Sequence, residues 1–280
     1  MIVDTIVRLR VGDIELTRVP YFDIPLDASV VSLTADAVRS IPWAQPTWAT
    51  PEGEVRVGQA LWVARSDGRV VVIDPCGASD AFLRVGPDAI GHQDRVLEAM
   101  DVAGVPAACV DAVVLTHLDG IGMAAAVNAD GEWSPLFPNG RVVMTQAELD
   151  FLATDPDVSG LPALRALIAA GAVDGVDDGH EVARGITLSL TGGHSPGHAV
   201  VRVRSGDEEA VILGHLALTP LHLDAPMSST LHIDADAAAA VLAGLVAAAE
   251  AGTVVIGPLW PAPGAVTVDP DGGVLPISAG

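Results

Sequence analysis

The order of short strands and helices along the chain is the feature that most constrains its fold. Short apolar or alternating runs, separated by Gly-Asp, Pro and Asp-Gly turn signals, predict an antiparallel sheet with strands over residues 6–11, 14–19, 60–64 and 70–73. The second half repeats this style, with predicted strands over 186–190, 199–203 and 210–213, an Ala-rich helix over 235–251 and a strand over 253–256. Strands followed by helices, twice over, predict two α/β halves packed together. No low-complexity linker separates the halves, so one domain over residues 1–280 is expected.

The middle of the chain alternates helices and strands. Apolar residues near helical spacing predict a helix over 93–104, with Gly104 as its C-cap. Thr145 and Glu148 have the spacing of a capping box, which predicts that a helix begins there. The other predicted elements are a strand over 112–115, a short Ala-rich helix over 123–127, a strand over 141–144, a helix over 161–172 and a surface loop over 41–48.

The composition excludes several partners and chemistries. A formal net charge of −22, from 36 acidic and 14 basic residues, argues against nucleic acid and anionic membranes as partners, because binding them needs a cationic face. All 14 basic residues are arginine, which removes Schiff-base chemistry and the Walker P-loop. Cys76 and Cys109 form no CxxC pair and indicate no thiolate metal site. The first residues lack a signal-peptide pattern and no run is long enough to span a membrane, so a cytoplasmic location is expected.

One buried run leads into residues that suit a cleft. The apolar residues 113–115 precede Thr116, His117 and a turn, which predicts a strand that delivers a histidine to a cleft. Four other segments combine a strand or a turn with polar, glycine or proline residues: the strand and Asp-Pro turn at 71–77, Gly-His-Ser-Pro-Gly-His at 193–198, the strand ending in Gly-His at 211–215, and the strand and prolines at 256–263. In this order the five segments resemble the motifs of the metallo-β-lactamase superfamily, in its lactonase and organophosphate-hydrolase branch.

The resemblance covers about residues 50–275 and implies a fold and an altered metal site. The implied fold is an αβ/βα sandwich, in which two mixed sheets lie face to face with helices outside and a cleft at one edge. Of the seven ligand positions of the family, only His117 and His194 are unchanged. The ligands of the second metal are replaced by Ile121, Gly122 and Leu259, whose side chains donate no electron pair. A second metal is therefore not expected.

The replacements at the first metal are themselves metal-binding residue types, Asp119 for a histidine and His215 for the bridging aspartate. By this resemblance, His117, Asp119, His194 and His215 form a single N3O site that Zn2+, Fe2+ or Mn2+ can occupy. The alternative is a metal-free site, in which clustered histidines suppress one another's protonation while Asp119 favours it. His215 and Asp119 are then the catalytic acid/base pair. Asp119 also precedes a short predicted helix and serves equally well as its N-cap.

Four apolar residues are predicted to line a substrate pocket, with ordinary core packing as the alternative: Trp43, Trp48, Leu259 and Trp260. The leading functional hypothesis is lactone or ester hydrolysis of a small hydrophobic substrate, assisted by one metal. A metal-independent dehydratase, isomerase or cyclase and a non-catalytic ligand-binding protein stay open, and convergence of Asp119, His194 and His215 would favour an enzyme. Ser195 beside His194 lacks a Gly-x-Ser-x-Gly elbow, so a serine hydrolase is the weakest reading. Homodimers are common in the family branch, so a homodimer is one expected assembly.

Overall fold

Strands make up most of the regular structure. The computed structural model describes residues 5–75, 89–117, 124–154, 161–224, 232–269 and 273–277. Within these ranges the strands are β1 (Val7–Val11), β2 (Ile14–Leu26), β3 (Val55–Ser66), β4 (Arg69–Ile73), β5 (Ala112–Val114), β6 (Ala125–Val127), β7 (Trp133–Pro135), β8 (Arg141–Thr145), β9 (Val173–Val176), β10 (Glu181–Ala183), β11 (Ile186–Leu190), β12 (Ala199–Ser205), β13 (Glu208–Ile212), β14 (Val254–Ile256), β15 (Ala265–Val268) and β16 (Val274–Pro276). The helices are α1 (Ala35–Ser40), α2 (Ala89–Val102), α3 (Gln146–Thr154), α4 (Leu161–Ala169), α5 (Leu221–Asp224) and α6 (Ala235–Ala248). None of the helices in these ranges has the length and apolar character needed to cross a bilayer.

Two mixed sheets of seven strands each organise the structure. The first has the order β1-β2-β3-β4-β5-β8-β9, and the second runs from β10 to β16 in chain order. Strands β1 to β4 are antiparallel, as predicted, whereas β4, β5, β8 and β9 are parallel. In the second sheet β13 and β14 are parallel. Parallel neighbours end at the same edge of a sheet, so the residues that follow β4, β5 and β8 lie near one another.

Tight turns set the register of the antiparallel strands. Asp67 and Gly68 connect β3 to β4, because Ser66 pairs directly with Arg69. Both turn residues have positive φ, at 50° and 78°, which is the backbone of a type I′ turn. Such a turn matches the right-handed twist of the two strands and keeps the alternating side chains of β3 and β4 on their intended faces.

Three hydrophobic layers hold the two sheets and the helices together. The layer between the sheets joins residues such as Trp62 and Ile73 of the first sheet to Val201 and Ile212 of the second. Outside the first sheet, helices α2, α3 and α4 pack on its outer face. Outside the second sheet, α6 and the segment from residue 28 to residue 49 cover the other face. This arrangement is the αβ/βα sandwich that the resemblance to the metallo-β-lactamase superfamily implies.

Some local predictions are wrong. The Ala-rich residues 123–127 are predicted as a helix, but Ala125–Val127 form β6 and pair with β7, while Ala124 and Ala125 are buried in the outer core. Alanine has the highest helix propensity, but propensity is a weak signal that tertiary packing overrides. The predictions also contain no counterpart of β7, β9, β10, β15, β16 and α1, which are short or carry polar and glycine residues.

Candidate metal centre

Three histidines from three separate segments meet at one edge of the sandwich. His117 follows β5, His215 lies in the 3₁₀ turn Gly214–Leu216 after β13, and His194 lies in the loop between β11 and β12. One ring nitrogen of each lies within 4.8 Å of one from each of the others. Their ring centroids are 4.2 to 5.3 Å apart, and all three side chains are buried. The folded chain thus gathers three imidazoles around a single point.

A buried chain of hydrogen bonds orients His117. Thr116 donates its hydroxyl to Oδ2 of Asp74 at 2.6 Å, and its backbone N–H donates to Oδ1 at 2.8 Å. The hydroxyl has one proton, so the contact of 2.8 Å between Thr116 Oγ1 and His117 Nδ1 is a bond that Nδ1–H donates. In a neutral ring the lone pair then lies on Nε2, which is 3.0 Å from Nδ1 of His215. Asp74 and Thr116 therefore fix the tautomer that a metal ligand needs.

A glycine allows His215 to approach this chain. Gly214 has a φ of +56°, a backbone conformation that residues with a side chain rarely adopt. A Cβ atom at this position would clash with Thr116 Oγ1 and would lie 2.7 Å from Nε2 of His198. Only glycine lets the end of β13 pack so closely against the end of β5. The close contact with Thr116 explains why a glycine precedes His215 in the Gly-His pair at 214–215.

The loop that carries His194 is clamped by the first turn of α3. Thr145 accepts a hydrogen bond from the backbone N–H of Glu148, as an N-cap residue does, which confirms the predicted start of the helix. The fully buried carboxylate of Glu148 accepts hydrogen bonds from Ser195 Oγ at 2.7 Å and from the backbone N–H of Gly197 at 3.1 Å. The Thr145 hydroxyl donates to the carbonyl of Gly197 at 2.6 Å. Ser195 thus helps to hold the loop, and its hydroxyl is turned toward Glu148.

Two further histidines contact the cluster. His232 places Nδ1 3.0 Å from Nδ1 of His194. Burial, followed by the charges of His222 and His215, lowers the pKa of His232 to about 4. His198 is fully buried, with its ring centroid 5.5 Å from those of His117 and His194. Burial and the neighbouring histidines hold the pKa of His198 well below its usual value. Both rings are therefore neutral at pH 7.

The tautomer of His198 is also set by a threonine. Thr191 donates its hydroxyl to the carbonyl of His198 at 3.0 Å, so Nδ1–H of His198 donates to Thr191 Oγ1 at 2.8 Å. The lone pair of His198 then lies on Nε2, which is buried and has no hydrogen-bond partner in the described part of the protein. A buried acceptor without a partner is uncommon, and this one, Nε2 of His198, lies beside the three grouped histidines.

The donor set fits a divalent metal ion. Imidazole nitrogens suit zinc and iron, and three protein ligands with one open position are typical of catalytic zinc sites. Bonds of about 2.0–2.1 Å to a tetrahedral zinc ion place two nitrogens roughly 3.3 Å apart. The nitrogens of His117 and His215 are 3.0 Å apart, which is close to that spacing. Among the described residues, His117, His194 and His215 therefore form a group that can hold a metal.

Other predicted site residues lie outside the described residues or in the core. Asp119, Ile121 and Gly122 are not among the described residues, so the roles predicted for Asp119 stay predictions. Leu259 is buried and its backbone carbonyl accepts a hydrogen bond from Gly58 at 2.9 Å. Its hydrocarbon side chain offers nothing to a second metal.

The predicted pocket tryptophans pack in the outer core of the second sheet. Trp48 and Trp260 are fully buried and lie edge to face, with ring centroids 6.3 Å apart and planes at 76°. Nε1 of Trp260 donates to the carbonyl of Ala217 at 2.9 Å. Leu259 belongs to the same cluster, and Trp43 packs on it while half-buried. These contacts pack the residues after β14 against the segment from residue 28 to residue 49. The predicted role of these four residues in lining a pocket stays a prediction.

Several residues that support the site are difficult to identify from the sequence. The capping box predicts Glu148 only as the start of a helix, and the sequence predicts His198 and His232 either behind the ligands or at the surface. The available signals were local: Asp74 and Thr116 each follow a buried strand, and these strands, β4 and β5, are parallel neighbours. Parallel neighbours place their following residues side by side, which makes a contact between the two predictable.

Comparison with solved structures identifies the fold. A hydrolase of the beta lactamase superfamily, AbOPH, matches with a TM-score of 0.76 and 20% identity over 98% of each chain. AidC, a dizinc quorum-quenching lactonase, matches with a TM-score of 0.75 and 18% identity over 99% of this chain and 98% of that one. A probable metal-dependent hydrolase from Staphylococcus aureus matches with a TM-score of 0.70 and 15% identity over 96% and 97% of the two chains. No family model and no curated protein matches the chain. The chain shares the fold of these proteins, which confirms the predicted sandwich.

Proposed function

We propose that this chain, which has the metallo-β-lactamase fold, is a hydrolase that uses one divalent metal ion to open lactones or cleave esters. The observation that carries the proposal is the convergence of His117, His194 and His215 within 4.8 Å, with the lone pair of His117 turned toward His215. Zn2+, Fe2+ and Mn2+ are the candidate ions, and zinc fits the three-imidazole set best. The similar structures include a hydrolase and a dizinc lactonase, which supports the reaction class.

The residues of the chain have separate tasks in this proposal. Asp74 and Thr116 keep the proton of His117 on Nδ1, so that Nε2 is a permanent acceptor. The bonds of Glu148 to Ser195 and Gly197 hold the loop of His194. A bound divalent ion supplies Lewis acidity, which polarises a carbonyl group and makes water a better nucleophile near neutral pH.

Charge and burial support an uncharged, mostly apolar substrate. The formal net charge of −22 disfavours anionic substrates, because like charge lowers their concentration near the protein. The three histidines are 0 to 7% exposed, so a substrate must leave water to reach them. A small, uncharged and mostly apolar lactone or ester meets both conditions. Asp119 is proposed as a fourth metal-binding or proton-accepting group, by the residue type at its position.

The contact of 3.0 Å between His117 Nε2 and His215 Nδ1 favours a second candidate function. Without a metal, Nδ1–H of His215 donates to Nε2 of His117, and the two rings share a proton. With Asp119 as partner of His215, such a pair can move protons in a dehydration, an isomerisation or a cyclisation. Independence of activity from metal distinguishes this candidate from the hydrolase.

The test is a hydrolysis assay of metal-free protein reconstituted with Zn2+, Fe2+ or Mn2+. Short- and medium-chain γ-lactones and p-nitrophenyl esters serve as substrates. The proposal expects turnover that depends on metal, is lost in His194→Ala and is unchanged in His180→Ala, since His180 is exposed and lies outside the cluster. Turnover that survives a chelator but is lost in His215→Ala would support the acid/base candidate. Absence of hydrolysis with every ion and both substrate classes would contradict the proposal.

A further inference from the structure

His232 contacts His194 directly. We infer that His232 is a positioning residue that accepts the Nδ1–H of His194 and thereby reserves Nε2 of His194 for the metal ion. The inference rests on the proposed metal site and assigns a role to a histidine that has no counterpart among the ligand positions. It concerns how the site is held, because His232 itself is not one of the three grouped ligands.

The geometry is that of a hydrogen bond between two rings. The two Nδ1 atoms are 3.0 Å apart, the centroids are 5.2 Å apart and the ring planes are at 88°. A neutral imidazole has one N–H and one lone pair, so one ring donates and the other accepts. If His194 donates, its Nε2 has a lone pair and can bind a metal. If His232 donates, the proton of neutral His194 lies on Nε2 and blocks binding.

The backbone holds both histidines in one unit. The N–H of Ile233 donates to the carbonyl of His194 at 2.9 Å, and the N–H of Asp234 donates to the carbonyl of Gly193 at 3.0 Å. Asp234 also accepts from the N–H of Ala237 and so caps α6. The segment that carries His232 is therefore tied to the His194 loop at two points and to a helix at a third.

The packing of Gly193 against α6 is a further constraint on the His194 loop. A Cβ atom on Gly193 would lie 2.7 Å from the backbone of Ala238 in the first turn of α6. The close approach of the His194 loop to α6 therefore needs this glycine. Metal-binding histidines usually donate their second N–H to a carboxylate or a carbonyl. Here the Nδ1 atom of His232 occupies that place, 3.0 Å from Nδ1 of His194.

The experiment compares zinc binding by His232→Ala, His232→Gln and the wild type, with His180→Ala as the matched control. Zinc affinity is measured by competition with a chromophoric chelator, and the ligand geometry by the visible spectrum of the cobalt-substituted protein. Loss of a hydrogen-bond acceptor behind a ligand weakens binding by about 10- to 100-fold, which is expected for His232→Ala. The amide oxygen of glutamine can accept the same bond, so His232→Gln is expected to recover most of the affinity and the cobalt spectrum.

The outcomes separate this inference from the proposed function. Equal zinc affinity in His232→Ala and His180→Ala would overturn the inference, and tighter binding by His232→Ala would show the opposite direction of the hydrogen bond. Nitrogen NMR of the metal-free protein gives a readout without metal: the inference expects the proton of His194 on Nδ1, and a proton on Nε2 would overturn it. If the wild type binds no metal, the proposed function fails while the NMR result still decides the inference. If His232→Ala does not fold, His232→Gln and the wild-type NMR result carry the test.

Discussion

Replacement of Thr116 by valine tests the buried chain that orients the metal-binding histidine. Thr116→Val keeps the branched shape of the side chain and removes the hydroxyl. Two hydrogen bonds are lost, the one to Asp74 at 2.6 Å and the one from His117 at 2.8 Å. All three residues are at most 1% exposed, so water cannot replace the lost partner. The matched control is Thr116→Ser, which keeps the hydroxyl.

The expected loss of stability follows from the hydrogen bonds that Thr116→Val removes and from the donor of His117 that it leaves without a partner. A hydrogen bond to a charged group contributes about 1.5–3 kcal/mol, and a buried donor without a partner costs about 1–3 kcal/mol. Thr116→Val is therefore expected to lower the free energy of unfolding by about 3–4 kcal/mol. Thr116→Ser loses one buried methyl group, which costs about 1 kcal/mol. His117 is also released from its fixed tautomer, so zinc affinity is expected to fall by about 10- to 100-fold in the valine variant.

Urea unfolding of the metal-free proteins gives the stability difference, and chelator competition gives the zinc affinity. Both the free energy of unfolding and the zinc affinity are expected to be lower for Thr116→Val than for Thr116→Ser. Equal unfolding free energies and equal zinc affinities in the two variants would refute the role of the Asp74–Thr116–His117 chain.

Three further variants test neighbouring parts of the site. Gly214→Ala places a Cβ atom against Thr116 at a position with positive φ, so the free energy of unfolding, measured in urea, is expected to fall by about 2–4 kcal/mol. In the control Gly244→Ala the new Cβ lies in open space on α6, and the free energy of unfolding is expected to rise by about 0.5–1 kcal/mol. Equal effects of the two substitutions would contradict the packing argument. Glu148→Ala leaves the Ser195 hydroxyl and the Gly197 N–H buried without their carboxylate acceptor, so the free energy of unfolding is expected to fall by about 2–4 kcal/mol and zinc binding to weaken. Unchanged zinc affinity would show that the His194 loop does not depend on these bonds to Glu148. Burial lowers the pKa of His222, so the unfolded chain binds a proton that the folded chain does not, and stability falls as the pH drops below about 6.5. His222→Gln keeps a donor for the carbonyl that His222 Nε2 contacts at 2.8 Å, and its stability is expected to fall less steeply, by up to about 1.4 kcal/mol per pH unit; parallel pH profiles would contradict this.

The sequence predicts the layers of the fold better than its short elements. The strands around β3, β4 and β5 are recognisable because their apolar runs are bounded by turn residues, and Asp67-Gly68 marks a hairpin without ambiguity. The Ala-rich residues of β6 predict a helix, because such a run does not reveal pairing partners that lie six to ten residues further along the chain. The shortest strands carry too few residues for any periodicity to be visible.

The site was predictable in its ligand types and less so in its supports. His117, His194 and His215 stand at the ends of recognisable strands or in a recognisable motif. The bond from Ser195 to Glu148 joins residues 47 positions apart, and His232 contacts His194 across 38 positions. Contacts over such separations depend on how the sheets and loops pack, which local patterns do not encode.

Metal content per chain is the most direct test of the central claim, that three buried histidines hold one divalent ion. The measurement is elemental analysis of tag-free protein purified without chelator, alongside His194→Ala and the exposed-site control His180→Ala. The account predicts about one equivalent of metal in the wild type and the control and a large loss in His194→Ala, as expected for a site with three protein ligands. Two equivalents, or none after reconstitution with Zn2+, Fe2+ and Mn2+, would contradict it.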